Sequence, residues 1–414
     1  CFGVIIMYLQ RVNLSFAIIP ISDDNNWNHT TQGIVLCSFF AGYMVTQIPG
    51  GWLAKRYGGK HVMLVGVLGS SVATAVLPFL SNSLYAFVAA RVVAGLFGAL
   101  TYPAMHDMVS HWLPDNERST AISLIWSGSY VGTIIPMVTG PHIVGAWSWA
   151  YLFYLFGGIG ILWCLLWLVL ASSHPETSKF ISKSELNYLI AHVKVQHQSV
   201  DKKVPWKTLL SLLPVWAIII NHFCVDWGFY IFLAWMPTYF KDHLDFDLDD
   251  TGYLSVIPYL AMFAATMSGG KIADRMIDKK VDKTFVRKLM QLLGLVPPAI
   301  SLFLLCYAAP NKWAALVETT FAVGFGGFAV AGFAVNGFDI APAYAGVLMG
   351  LSNTVATIPG VVGIALAGFL LDATNSWSSV FFVAAGVYMF GALVWLLFAT
   401  GRLIPELNES TTVN

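Results

Sequence analysis

Charge is what this sequence has least of. Only 11% of its 414 residues are Asp, Glu, Lys or Arg, against about 25% in a soluble globular chain. Neither sign prevails: 22 basic residues meet 22 acidic ones, and the formal net charge is zero. A nucleic-acid binder would show a basic stripe or patch, and this chain has none. Cysteine is scarce. The five, at positions 1, 37, 164, 224 and 306, lie in apolar stretches without pairing or metal spacing. They read as small core residues, which sets aside a disulfide scaffold. No Walker A run is present, so ATP hydrolysis does not supply the energy. No His, Cys or carboxylate set has metal-ligand spacing, and no nucleophile–base constellation points to an enzyme. No cofactor and no nucleic-acid partner are expected.

What the chain has in quantity is apolar surface. Hydrophobic residues make up 57%, with 15 Trp, 16 Tyr and 28 Phe, and the mean hydropathy is +0.69. A helix crossing the hydrocarbon of a bilayer needs about 20 mostly apolar residues. Twelve such stretches can be marked, at 2–21, 31–54, 61–80, 84–106, 119–141, 149–171, 213–240, 250–270, 285–308, 313–337, 343–370 and 378–401. The expected fold is therefore all-α and integral to the membrane, with 12 transmembrane helices. The chain opens at Cys1, already inside the first span and without an initiator Met. A preceding segment is expected to be missing.

Lys and Arg set the expected orientation. Eighteen of the 22 lie in or at the edge of the even-numbered gaps between spans, or in the C-terminal tail. Lys55, Arg56, Lys60, Lys179, Lys183, Lys202, Lys203, Lys279, Lys280 and Arg402 are among them. The odd-numbered gaps hold two, Lys241 and Lys312, beside the acidic run Asp242, Asp245, Asp247, Asp249 and Asp250. The even gaps and both termini are expected to be cytoplasmic. Asn28-His29-Thr30 is a glycosylation sequon on the opposite side, where it is usable, although three-residue motifs also arise by chance.

The longest polar segment, 172–212, divides six spans from six. The expected organisation is a six-helix bundle over 1–171, a cytoplasmic linker over 172–212, a second bundle over 213–401 and a tail over 402–414. A repeat supports it. Gly50-Gly51-Trp52-Leu53-Ala54-Lys55-Arg56-Tyr57-Gly58-Gly59-Lys60 follows span two, and Gly269-Gly270-Lys271-Ile272-Ala273-Asp274-Arg275-Met276 follows span eight. Repeated six-span halves are a transporter plan, with the substrate site near the midplane. The plainer reading is a packing turn that recurs.

The glycine and basic pattern after spans two and eight resembles the major facilitator superfamily. Longer blocks narrow the resemblance. They are Arg11 to Ser15, Ser38 to Tyr43 with Gln47 to Gly51, Thr101 to His106, Glu117-Arg118-Ser119, Asn336 to Pro342, Tyr344-Ala345-Gly346 and Asn353 to Gly360. Together they resemble the anion:cation symporter branch, which includes sialin, the vesicular glutamate transporters and the sodium-phosphate transporters, with sialin the nearest in wording. The resemblance implies the major facilitator fold in two pseudo-symmetric six-helix halves. It also implies a monomer that carries a small anion by alternating access, coupled to H+ or Na+. A plasma membrane or an endolysosomal or vesicular membrane would hold it.

Arg11 is the sharpest candidate within the spans. It sits about 15 Å deep at 1.5 Å per residue, where a charge costs about 2.5–3.5 kcal/mol on insertion scales. Such a residue usually faces a cavity and serves a function. Its guanidinium matches a carboxylate or phosphate with two parallel hydrogen bonds. Tyr8, Arg11 and Ser15 share one helix face. The alternative is a structural arginine that caps carbonyls. Arg91 lies on a face with Ala94, Gly95, Gly98 and Tyr102. The small residues leave room for a neighbouring helix or for an open cavity, and Arg91 either meets substrate or snorkels to the interface. In the resembled family an arginine at this place serves substrate binding or coupling. Tyr43 and Tyr230, beside these charges, are expected to line the cavity, with Trp126 and Trp227 behind them. Asn336, in a family block, completes the expected substrate-binding set with Tyr8 and Tyr102.

One departure bears on coupling. Sialin-like proteins carry Glu where this chain has Ala94 and again where it has Gly98, and His where it has Gly337. Proton coupling by that route is therefore in doubt. Asp226, four residues from Tyr230 on one face, is the main titratable group left, with His106, His222 and Glu318 behind it. Asp226 titrates, binds a cation, or makes a buried pair. His106 acts as a proton relay or simply as a hydrogen-bonding residue. Lys55, Arg56, Asp274 and Arg275 are expected to form a gate at the cytoplasmic face through loop charge contacts. The glycines of 324–332 fall inside span ten, where they pack or bend a helix. A non-transporting membrane sensor with the same fold is the competing reading.

Overall fold

The computed structural model describes residues 1–113, 115–178, 180–192, 205–307 and 311–408. All regular elements among them are helical. The chain divides into two compact units, Cys1–Asp201 and Lys202–Asn414.

Ten helices are long and apolar enough to cross a membrane. In the first unit they are span one (Phe2–Asn25), span three (Gly59–Leu80), span four (Leu84–Val109) and span six (Trp149–Leu170). In the second they are span seven (Leu213–His243), span eight (Asp250–Asp278), span nine (Lys283–Leu305), span ten (Lys312–Ile340), span eleven (Ala345–Thr374) and span twelve (Trp377–Phe398). Two further long helices, His29–Tyr57 and Asp115–Ala146, occupy the places of spans two and five. Each reaches about 40 Å at 1.5 Å per residue, although Gly, Thr, Gln and Pro dilute their apolar character. All twelve expected spans are thus helices.

Helix is forced here because lipid offers no partner for backbone N–H and C=O groups. The ends, where four N–H groups lack a helical acceptor, are closed by polar side chains. Asn28 accepts from the Thr31 N–H at 3.0 Å at the start of span two. Asp282 accepts from Phe285 N–H at 3.1 Å and Asn311 from Trp313 N–H at 3.0 Å at the starts of spans nine and ten. Ser148 and Ser376 do the same for spans six and twelve.

Each unit pairs its helices in the same way. In the first, span one packs on span five, span two on span four, and span three on span six. In the second, span seven packs on eleven, eight on ten, and nine on twelve. The pairing repeats with a shift of six spans, which is pseudo-symmetry at the level of packing. Spans one and seven are the most buried, whereas span six presents Leu162, Leu165, Leu166 and Val169 outward.

Two glycines set the closest approach in the first unit. A Cβ on Gly95 would fall 1.9 Å from the Phe39 carbonyl oxygen, and one on Gly42 2.0 Å from the Val92 carbonyl oxygen. Spans two and four therefore touch backbone to backbone, as small residues permit in membranes. The small face of span four receives a neighbouring helix; it is not an open wall. Gly95→Ala is expected to cost about 1–3 kcal/mol, as overpacking does, seen as a lower melting temperature in detergent. The glycines of span ten end its first helical stretch at Gly324 and begin a 3-10 turn over Phe325–Ala331.

Candidate functional site

The first unit gathers four of the predicted residues around one guanidinium. Gln10 fixes the rotation of span one. It accepts from Ser70 Oγ at 2.8 Å and donates from Nε2 to Ser71 Oγ at 2.7 Å, both on span three. The next residue, about 100° further round the helix, is Arg11. Its Cζ lies 4.2 Å from the Phe40 ring centre, 5.2 Å from Tyr8, 5.6 Å from Tyr43 and 6.0 Å from Phe39. Tyr102, from span four, interacts with Tyr8, Tyr43 and Arg11 and shares a hydrogen bond with Tyr8. All of these side chains are buried. Each guanidinium–ring contact is worth about 0.5–2 kcal/mol. Rings hold a cation without neutralising it, so the charge stays available to an anion.

Arg91 does not snorkel. It is 1% exposed. Its Nη1 donates to the Gln10 carbonyl at 3.1 Å, and its Cζ stands 5.2 Å from the Phe39 ring. Arg91 forms no ion pair among the described residues, and its Nε has no hydrogen-bond partner there. Phe39 thus lies between two guanidinium groups, stacked on Tyr43 at 6.0 Å. Arg91 also braces the backbone of span one beside Arg11. Ala94 is fully buried, and a Cβ on Gly98 would meet the Phe39 ring at 3.2 Å. Phe39 fills the space that a coupling acid at 98 would need.

In the second unit, Asp226 neighbours His222 one helical turn away, with Nε2 to Oδ2 at 3.9 Å. The other His222 nitrogen, Nδ1, is 3.0 Å from Ser352 Oγ on span eleven. The imidazole lies 4.6 Å from the Phe333 ring, and Tyr388 on span twelve is within electrostatic reach of Asp226. Tyr230 is buried one turn beyond. The buried Trp227 ring rests against Gly363. Asn336 is differently employed: its Nδ2 donates to the Thr400 carbonyl at 2.8 Å, tying span ten to the segment after span twelve. Glu318 is half-buried.

The expected gate residues are spread out. Asp274 and Arg275 are exposed, and neither side chain makes an ion pair among the described residues. Arg56 is exposed over Trp52 and Tyr57, and His106 is exposed at the end of span four. The side chains of Lys55, Trp126 and Glu117-Arg118-Ser119 lie outside the described residues. The charge contacts actually made are elsewhere. Arg287 Nε donates to Asp339 Oδ2 at 2.6 Å, with side chains 10% and 8% exposed, and Lys283 Nζ is 3.8 Å from Asp339. In the first unit Asp107 Oδ2 accepts from the Gly59 N–H at 2.8 Å. Both acids close the end of the fourth helix of a half onto the start of the third. Sequence reading passed over them. Asp339 stood inside a quoted block and Asp107 directly followed another, and both ends fall in corresponding gaps.

Comparison with known proteins gives a consistent picture. Residues 1–364 match the Major Facilitator Superfamily. The chain is 40% identical over 399 residues to the chloroplastic ascorbate transporter of Arabidopsis thaliana, covering 96% of this chain and 73% of that one. It is 37% identical over 436 residues to sialin of Homo sapiens, covering 97% and 88%. Among solved structures, a bacterial homologue of the human lysosomal transporter Spinster, in an inward-facing and occupied conformation, is similar with a TM-score of 0.74. The identity is 12%, over 96% of this chain and 94% of that one. That likeness speaks for the fold.

Proposed function

The chain belongs to the major facilitator superfamily, and from that premise we propose that Arg11, held by Tyr8, Tyr43 and Tyr102, receives the anion of this secondary active transporter. It is a transporter and not an enzyme. The single observation that carries the site is a deeply placed guanidinium caged by aromatic rings. The cage favours an organic anion. One oxyanion or carboxylate pairs with the fork of Arg11, and the carbon skeleton lies on the rings. A relative named for ascorbate, which is such an anion, supports this class. Inorganic phosphate would satisfy the fork and leave the rings unused. Arg91 holds Arg11 in place and adds positive potential. Tyr230 and Asn336 belong to the other half, in which Tyr230 contacts substrate and Asn336 keeps span ten anchored. The two compact units are the two six-span halves, and transport proceeds by alternating access between them.

Coupling rests on Asp226. With the family acids at 94 and 98 replaced by Ala and Gly, the Asp226–His222–Ser352 chain is the buried titratable group left in the spans of the second half. A proton or Na+ arriving at Asp226 would change the charge of span seven, and His106 would serve as relay at the opposite end of span four. Arg56, Asp274 and Arg275, exposed on the basic side with Lys55 in the same motif, are the gate, and the basic side is cytoplasmic. The test is uptake of radiolabelled ascorbate, sialic acid, glutamate and phosphate into proteoliposomes, with proton and sodium gradients imposed separately. One of the organic anions is expected to accumulate. Uptake of none of the four under either gradient would overturn the reading in favour of a non-transporting sensor. Asp226→Asn is expected to leave binding intact and to abolish the response to the gradient. An unchanged dependence on pH and on Na+ would remove Asp226 from the mechanism.

A further inference from the structure

A second basic site lies far from Arg11, on the side of the first unit where spans two, three, four and six end. A cavity of about 850 Å³ opens there, lined by Arg56, Lys60, His61, His111 and His174 with one acid, Asp107. The acid is already engaged, accepting from the Gly59 N–H at 2.8 Å and standing 3.9 Å from His111 Nδ1. The walls are built. Trp112 Nε1 donates to the Ser172 carbonyl at 2.9 Å, and Trp167 Nε1 to the Lys60 carbonyl at 3.1 Å. Lys60 Nζ donates to the Leu168 carbonyl at 3.0 Å. The His111 and His174 rings meet edge to face at 4.5 Å. These bonds pin the chain after span six over the Gly58–Lys60 turn, and the cations stay in place around the opening. Arg56 is exposed, rests on two aromatic rings and makes no ion pair among the described residues.

The chemistry of the lining calls for a compact, multiply charged anion. A guanidinium and an ammonium at membrane-surface level attract phosphate, and imidazoles donate to it once protonated. The surroundings indicate where the phosphate comes from. Leu168, Val169 and Leu170 form one wall of the cavity and are 48%, 68% and 60% exposed. Below them Leu162, Leu165 and Leu166 continue an apolar lane down the outward face of span six. A soluble anion has no use for that lane, and an acyl chain does.

We propose that this cavity holds the phosphate-monoester headgroup of an anionic phospholipid, whose acyl chains descend along span six. The lipid would brace the turn between spans two and three against the start of the linker. The site is independent of the substrate assignment at Arg11. The purified full chain in detergent is titrated with short-chain phosphatidic acid, short-chain phosphatidylcholine and glycerol 3-phosphate, and binding is read by native mass spectrometry and by melting temperature. Phosphatidic acid is expected to bind at least about tenfold more tightly than either other ligand, following the charge and the apolar lane. Arg56→Gln and His174→Ala, both at exposed positions, should each weaken phosphatidic acid severalfold and leave phosphatidylcholine unchanged. Equal binding of phosphatidic acid and phosphatidylcholine would overturn the proposal. Glycerol 3-phosphate binding as tightly as phosphatidic acid would overturn the lipid source in favour of a soluble phosphate. Unaltered phosphatidic acid binding by both variants, folded to the same melting temperature, would move the site elsewhere.

Discussion

Arg11→Ala will lower substrate uptake by about 100-fold or more and leave the protein folded. Removing one partner of a desolvated, hydrogen-bonded charge pair costs about 2–5 kcal/mol, and the substrate would lose its only fork-shaped partner in the ring cage. The stability readout separates function from structure. Arg11 is 6% exposed and sits among rings. A functional cation buried for the sake of its ligand is a burden on the empty protein, so the melting temperature should hold or rise. A structural arginine would lower it. Arg11→Lys keeps the charge and loses the planar fork, and should fall between wild type and Arg11→Ala. Tyr43→Phe keeps the ring, so it should disturb uptake far less than Arg11→Ala. Wild-type uptake by Arg11→Ala would end the assignment.

Asp339→Ala will destabilise the second unit by about 3–5 kcal/mol, the usual consequence of leaving one member of a buried ion pair alone. Arg287 would retain only its bond to the Ala331 carbonyl, at 3.1 Å. Replacing both members with apolar residues, as in Arg287→Met with Asp339→Leu, should recover most of the loss, because neither charge then stays buried. The contrast is Arg402, 3.8 Å from Asp282 with side chains 81% and 53% exposed. Arg402→Ala should change stability by less than about 1 kcal/mol, since water and salt screen such pairs. Thermal melting of the purified variants in one detergent decides both. An Asp339→Ala protein as stable as wild type would show that the clamp between spans nine and ten carries little.

The class of protein and the places of all twelve helices were legible in the sequence, for a physical reason. Lipid imposes one secondary structure and one length on every crossing, so composition alone marks the spans. The buried charges were legible too, because insertion cost makes Arg11, Arg91 and Asp226 rare events in apolar runs. What those charges touch was not. The small face around Gly95 was compatible with a cavity or a helix, and only the backbone approach of Phe39 settles it. Arg91 read equally as a snorkelling residue, yet the rotation of span four turns it inward to the Gln10 carbonyl. Gln10 itself gave no signal, since a single amide in an apolar helix does not announce its partners on span three. The gate motif was visible as a repeat, whereas the ion pair that closes the second half, Arg287 with Asp339, joins residues 52 apart in the chain. Periodicity and hydropathy act within one helix, so the sequence determined the spans and their cost. Contacts between helices depend on rotation and close approach, and those only the tertiary structure decided.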